Sequence, residues 1–422
     1  MNEVPDAREL TGAGAIDFAQ DHMPVSAELM REAQQDVDFT GIRIAVCLIL
    51  EPKTAVLLRQ LKQAGAIVGA YCGSEANDER VAAQLRKEGI PVAYNPDWTP
   101  EQAHQGALDL LDEIRPSIII DDGASFARLA AMERPELMEH IIGVAEETTS
   151  GIRAFQAMQD AGALSFPVIA VNDSMLKTGF DNAHGTGETC VTTMQRILGH
   201  DCFAGKNVCV VGYGPVGRGF VHRVRALGAN VTICDTNPVV ALQAVFDGFG
   251  ADDINHAIPE SDIVISATGV RHTIAMQHLQ IMKPNAVLSV IGGIANEIAL
   301  DEIDGFQAEN KREIRNLDVP SGPRIRLISG GDGVNYTVGG GNPIEIMDLS
   351  FAVQISAVTH LLRNQGRLQN GLQKLGHDID CNIADIALRV RGYQASQSVA
   401  DNGYDWTLTR FAENEKEQHH AA

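Results

Sequence analysis

Two groups of residues in this 422-residue chain have the types and spacing that chemistry requires. The first is Gly212-Tyr213-Gly214-Pro215-Val216-Gly217, a GxGxxG spacing that follows the apolar run VCVV and opens the helical pattern GRGFVHRVRALGA. In that context the first glycine permits a tight turn, the second lets the backbone approach a pyrophosphate, and the third lets helix pack on strand. The helix N-terminus adds partial positive charge for the anion. Eighteen residues beyond Gly217 the run VTIC ends in Asp235, a carboxylate suited to both ribose hydroxyls of NAD and repulsive to the 2′-phosphate of NADP. NAD is the expected cofactor, and a glycine-rich turn that binds nothing is the alternative. Downstream, Ser266-Ala267-Thr268-Gly269 and Ile291-Gly292-Gly293 end two further strand patterns on the side where a nicotinamide would lie, or are ordinary tight turns.

The second group lies between Ala145 and Glu188, where EETTSG and VNDSMLKTGFDN concentrate acids, amides, hydroxyls and one lysine. Taking hydride from a secondary alcohol requires a base for the hydroxyl proton and donors for neighbouring hydroxyls, and Lys177 with Asp181 four residues on supplies both. A partly desolvated lysine near a nicotinamide positive charge is expected to have its pKa lowered. The plainer alternative is a solvated Lys/Asp pair on a helix surface.

Elements able to position these groups are legible in the hydrophobic pattern. From about residue 42, apolar β-branched runs (IRIAVCLIL, AIVGAYC, PVAYN) alternate with helical segments (KTAVLLRQLKQAG behind Pro52, VAAQLRKEG). The rhythm continues through a helical stretch near 100 to 114, the strand pattern Ser117 to Ile120 ending in Asp121-Asp122-Gly123, and the strand-like HIIGVAEETTSG. Acids just past a strand's carboxyl end lie where open α/β sheets bind ligands. After Asn182 a helix leads to a second series running to about residue 340, and Pro343 to about Leu372 reads helical.

The expectation is an α/β protein of two doubly wound Rossmann-like domains, the NAD domain inserted in the substrate domain. Residues 1–182 form the first part, 183–340 the NAD domain, 341–380 the return, and 381–422 a tail. Hinges are expected near Asn182 to Gly187 and Gly339 to Pro343, where glycines and loop character permit them.

Composition narrows the partners. Thirty-three Lys and Arg against 55 Asp and Glu leave a formal charge of −22, which repels nucleic acid and anionic membrane alike. Seven scattered cysteines, without a CxxC or a Cys/His pair at ligand spacing, read as reduced thiols and give no metal site. No basic n-region precedes an apolar stretch at the start, and no run of eighteen uncharged apolar residues occurs, so a soluble cytoplasmic protein is expected. The acidic end Glu413 to Glu417 reads as frayed.

Together DDG at 121–123, EETTSG at 146–151, VNDS at 171–174, Lys177, FDN at 180–182, GKNVCVVGYGPVGRG at 205–219 and ALQA at 241–244 resemble the S-adenosyl-L-homocysteine hydrolase (adenosylhomocysteinase) family, from about Gly41 to Leu362. The resemblance implies a homo-oligomer, either a dimer or a tetramer. It also implies a chemistry in which NAD transiently oxidises a nucleoside 3′-hydroxyl so that the 5′-substituent can leave and water can add. It casts Asp122, Glu147, Lys177 and Asp181 as sugar-hydroxyl and proton-transfer residues. Thr148, Thr149, Ser150, Asn182 and Asn335, with Gly212, Gly214, Val216, Gly217 and Asp235, are cast as NAD contacts.

The departures cluster. Where the family has a histidine, a threonine and an adenine-binding glutamate, this chain has Ile49, Glu51 and Lys53, and only Thr54 of that stretch is kept. Family histidines are Gly293 and Asn342 here, a cysteine near the nicotinamide is Thr186, and the stretch after the second strand reads CGSEANDE. The family's basic, tyrosine-ending tail is not recognisable.

Isoleucine cannot transfer a proton as imidazole does, and lysine cannot accept from an adenine amino group. The expected substrate is therefore a nucleoside-like molecule with an altered base or leaving group. Glu51 and His184 are the available acid/base substitutes, and Glu51, Lys53, Thr54, His184 and Asn342 the candidate substrate contacts. A dehydratase that stops after elimination, an NAD-dependent epimerase or dehydrogenase, and an NAD-binding regulatory protein without activity remain as alternatives.

Overall fold

A computed structural model describes residues 10–73, 77–294, 296–307 and 313–397; Glu413 to Glu417 lie outside the described residues. The first six strands are β1 (Arg43–Cys47), β2 (Ile67–Tyr71), β3 (Val92–Ala93), β4 (Ile118–Asp121), β5 (Gly143–Glu146) and β6 (Pro167–Ala170). The next seven are β7 (Asn207–Val211), β8 (Asn230–Cys234), β9 (Gly250–Ala251), β10 (Ile263–Ser266), β11 (Val287–Val290), β12 (Ile314–Asp318) and β13 (Arg324–Ile328), and β14 (Gly371–Gln373) comes last.

They form two seven-stranded sheets, ordered β14-β6-β5-β4-β1-β2-β3 and β12-β13-β11-β10-β7-β8-β9. The first is parallel throughout, and the second is parallel except for the hairpin of β12 with β13. Central strands such as β4 and β10 are buried at every residue, which is why they read as unbroken apolar runs and not as alternating ones. In each sheet the winding reverses beside the first strand of the unit, between β1 and β4 and between β7 and β10. The crevice at the carboxyl ends of those strands is the ligand position of this architecture.

The second domain is inserted in the first, as expected. The chain leaves after β6 through Thr178–Thr186 and returns through residues 339–343 into the helix Ile344–Arg363. By length and hydropathy that helix would suffice to cross a membrane, but it is buried over most of its course. Leu349, Phe351, Val353, Ile355, Val358 and Leu361 pack with β1, β4 and the helix Pro52–Gln63 in one core. Its Asp348 accepts from the amides of Val25 and Ser26, capping the helix Pro24–Asp36. The helix His377–Val390 runs across residue 381, where the tail was expected to begin. It buries Ile383 and Ile386 in the same core, so the described start of that segment is docked.

Candidate active site

The first crevice is lined by acids whose two fates follow from strand alternation. Asp121 and Glu146 face each other in register across β4 and β5 and turn inward. Asp121 accepts from the amides of Phe126 and Ala127, and Glu146 from those of Gly123, Ala124 and Thr148. They are structural, and burial pushes both upward, with the Asp122 charge adding to each and Asp121 adding to Glu146. The next residues, Asp122 and Glu147, are the ones left to face the crevice.

Lys177 and Asp181 come to the same place. They are joined at 2.8 Å with side chains only 5% and 4% exposed, which removes the solvated-pair alternative. Residues Thr178–Thr186 form a π-helix, a widened turn that recurs at functional sites. Its i to i+5 geometry explains why Lys177 Nζ also donates to Asn182 Oδ1 at 2.9 Å. Asn182 in turn donates to Asn172, which also accepts from the Thr149 hydroxyl. The π-turn is locked onto the second domain because a Cβ on Gly219 would lie 1.8 Å from the carbonyl oxygen of Ala183.

The returning crossing closes the site. Asn342 Nδ2 donates to Asp181 Oδ1 and to Thr186 Oγ1, while its Oδ1 accepts from Asn335 Nδ2 at 3.4 Å. Lys53 Nζ lies 2.8 Å from Glu51 and donates to the Asn342 carbonyl at 2.6 Å. Gly341, at φ 75°, leaves room for that pair; a Cβ there would meet Glu51 Oε2 at 2.9 Å.

These surroundings set the charges. Burial works against the Lys177 ammonium, but Asp181, Glu147 and Asp122 outweigh it and hold the group above the usual lysine range. These acids act in the direction opposite to the lowering expected from a nicotinamide positive charge. Burial lifts Glu147 to about 7, with Lys177 pulling back and Asp181 pushing further. Asp122 and Glu51 are raised by burial too, against Thr148 and Lys177 in one case and Lys53 in the other. Tyr336, half-buried, has its phenol pushed well above the usual range by burial and the charges of Asp181, Asp122, Glu51 and Glu147.

One candidate is placed elsewhere, and two candidate hydroxyls are engaged within the first domain. His184 is exposed on the outer side of the π-turn against Arg223 and Phe180, where it does not join the acids. The π-turn, invisible in the sequence, sets that direction. The Thr54 hydroxyl is spent on the Ile49 carbonyl at 2.7 Å. Thr148 is likewise committed within the first domain, donating to Glu146 and accepting from Gly123, with Ser150 3.0 Å away.

At the second crevice, three glycines of the turn divide by cause. A Cβ on Gly212 would meet Ala267 O at 2.9 Å and one on Gly217 would meet Gly212 O at 2.3 Å, so protein packing explains both. At Gly214 a Cβ would meet nothing within 4 Å among the described residues, and this residue caps the N-terminus of the helix Pro215–Ala226. Val216 packs on the domain core, and Asp235 Oδ2 accepts from the Tyr213 amide at 3.0 Å just past β8. Asn335 Oδ1, buried at the seam between domains, has no partner among the described residues. A built anion cradle, a ribose-type carboxylate and an orphaned acceptor fit a dinucleotide. The two crevices are bridged away from the crossings by Arg153, which donates to the carbonyls of Gly269 at 2.9 Å and Thr268 at 3.3 Å.

Ser350 and Gln354, which donate to Glu147, were not anticipated. Their signal was present as two polar residues four apart in the apolar helix pattern IEIMDLSFAVQISAV. Asn172 lay within the VNDS stretch already singled out, whereas Tyr336 carried no such signal.

Residues 5–134 match the model of S-adenosyl-L-homocysteine hydrolase, and residues 182–341 that of the S-adenosyl-L-homocysteine hydrolase NAD binding domain. An adenosylhomocysteinase of Thermoplasma acidophilum is 35% identical over 394 residues, 92% of this chain and 96% of its own length. An S-inosyl-L-homocysteine hydrolase of Methanopyrus kandleri is 37% identical over 392 residues, 92% of each chain. An adenosylhomocysteinase of Thermotoga maritima is 35% identical over 392 residues, 92% of this chain and 96% of its own.

Proposed function

From the premise that the chain belongs to the S-adenosyl-L-homocysteine hydrolase family, with NAD as its cofactor, we propose that it hydrolyses a 6-oxopurine nucleoside bearing a 5′-thioether. The observation that carries the reading is the buried convergence of Lys177, Asp181, Glu147 and Asp122 at the seam between the two crevices. Bound NAD supplies reversible oxidation of the sugar 3′ carbon to a ketone, which acidifies the neighbouring 4′-hydrogen. Lys177, held charged, donates to the 3′ oxygen and fixes its position, and Asp181 keeps the ammonium in place. Glu147, poised at about 7, is the group best matched to taking and returning the hydroxyl proton at neutral pH. Asp122 accepts from the adjacent hydroxyl. Closing Asn342 and Glu51 over the site excludes water from these groups.

The base follows from the Glu51 and Lys53 pair. An ammonium has three donors, of which Lys53 spends one on Glu51 and one on the Asn342 carbonyl. The third can serve a purine 6-carbonyl while a Glu51 oxygen accepts the N1 hydrogen. Adenine offers the opposite pattern, an amino donor beside an acceptor. Relatives named for inosyl and for adenosyl substrates are about equally similar, so identity does not choose between them.

The test is free-thiol release from S-inosylhomocysteine and S-adenosylhomocysteine by the purified holoenzyme. Release favouring the inosyl compound, lost in Lys177→Ala and inverted toward the adenosyl compound in Lys53→Glu, is expected. No thiol from either, or an adenosyl preference in the native protein, overturns the reading. Ile49 and Asn342, standing where the family has histidines, favour a second reading in which elimination is not followed by water addition. It is recognised by thiol appearing together with a 4′,5′-unsaturated nucleoside.

A further inference from the structure

Glu147 is gripped by the helix that returns from the inserted domain. Ser350 Oγ donates to its Oε1 and Gln354 Nε2 to its Oε2, and both donors are fully buried. The same carboxyl feels the charges of Lys177, just before the π-turn, and Asp181, within it, and acts in turn on the Tyr336 phenol of the short helix Val334–Thr337. Gln354 Oε1 is buried and has no partner among the described residues. An unpaired buried amide oxygen is costly, so its persistence beside a carboxyl calls for a reason.

We propose that Ser350 and Gln354 are positioning residues that keep Glu147 in one place while it gains and loses a proton. With the carboxylate ionised, both residues donate to it, as observed. When a proton arrives at Oε2, the Gln354 amide turns over so that Oε1 accepts the new O–H, and Ser350 continues to donate to Oε1 of Glu147. No bond to carbon changes; one proton moves onto the carboxyl and leaves by the same route. A primary amide is suited to this because it presents a donor and an acceptor on one rigid plane, whereas leucine or glutamate presents only one state or none. The spare acceptor of Gln354 is thereby explained as the partner of the protonated state.

The inference rests on the reading of Glu147 as a proton carrier, and its test does not need turnover. In the NAD-loaded full-length protein, the infrared carbonyl stretch of a protonated carboxyl is followed against pH and assigned by its absence in Glu147→Gln. Native protein should titrate near 7. Ser350 only donates, and donates more strongly to the ionised form, so Ser350→Ala should move that titration upward by about one to two pH units, whereas Gln354→Leu removes a partner of both forms and should move it by less. Gln354→Glu, which fixes one state, should not restore it.

A double-mutant comparison separates positioning from general damage. In the Glu147→Gln background, Ser350→Ala and Gln354→Leu should lower thiol release by far less than in native protein. An unmoved titration in both single variants overturns the inference, as do equal losses in the two backgrounds. Absence of thiol release in every variant with the infrared shift intact overturns the proposed reaction and leaves the positioning role standing.

Discussion

Asp181→Asn removes one charge from the Lys177 pair while keeping shape and an oxygen for Asn342. At an effective dielectric of about 20, unit charges 2.8 Å apart attract by about 6 kcal/mol, part of which offsets the cost of burying both. Breaking such a pair from one side strands a buried ammonium, and losses of about 3 to 5 kcal/mol are typical. Glu147 and Asp122 still attract Lys177, so the lower end is expected, about 3 kcal/mol at neutral pH. Urea unfolding of native, Asp181→Asn, Lys177→Met and the double variant gives the coupling directly. The double variant should be more stable than the single Asp181→Asn, since two neutral side chains leave no stranded charge. A single-variant loss below about 1 kcal/mol, or losses that simply add, would refute the claim that the two charges are mutually dependent.

Other outcomes follow from the same geometry. Glu147 holds its proton more tightly folded, at about 7, than unfolded, at 4.5. Its contribution is therefore full below 4.5 and lost as pH rises through 7, and Glu147→Gln should gain relative stability across that window, by at most about 3 kcal/mol. A difference independent of pH would count against the buried carboxyl. Gly214→Ala should leave the apo protein's melting temperature unchanged and weaken NAD binding, whereas Gly217→Ala should cost about 3 kcal/mol because its Cβ meets a backbone oxygen that cannot swing away. Equal thermal losses in the two variants would mean that the turn is not a ligand cradle. Arg153→Ala, on an exposed side chain, should enlarge the radius of gyration in solution scattering while melting changes little; an unchanged radius would show that its two hydrogen bonds do not hold the crevice closed.

The local features were written in the residues. Unbroken apolar runs marked the central parallel strands, the glycine turn with Asp235 marked the proposed dinucleotide end, and the Lys177, Asp181 and EETT residues marked the proposed sugar end, because each depends on chemistry within a few positions of chain. Tertiary structure decided what such spacing cannot express. Of the two acids in Glu146-Glu147, strand alternation and the Asp121 partner turned the first inward and the second toward the site. The π-turn carried His184 away from the acids and Asn182 onto Lys177, though an ordinary helix of the same sequence would have spaced them otherwise. Above all, the charge on Lys177 and the grip on Glu147 come from residues as distant in the chain as Asp122 and Gln354. Burial and electrostatics act through space, so a group's ionisation is known only once its neighbours are.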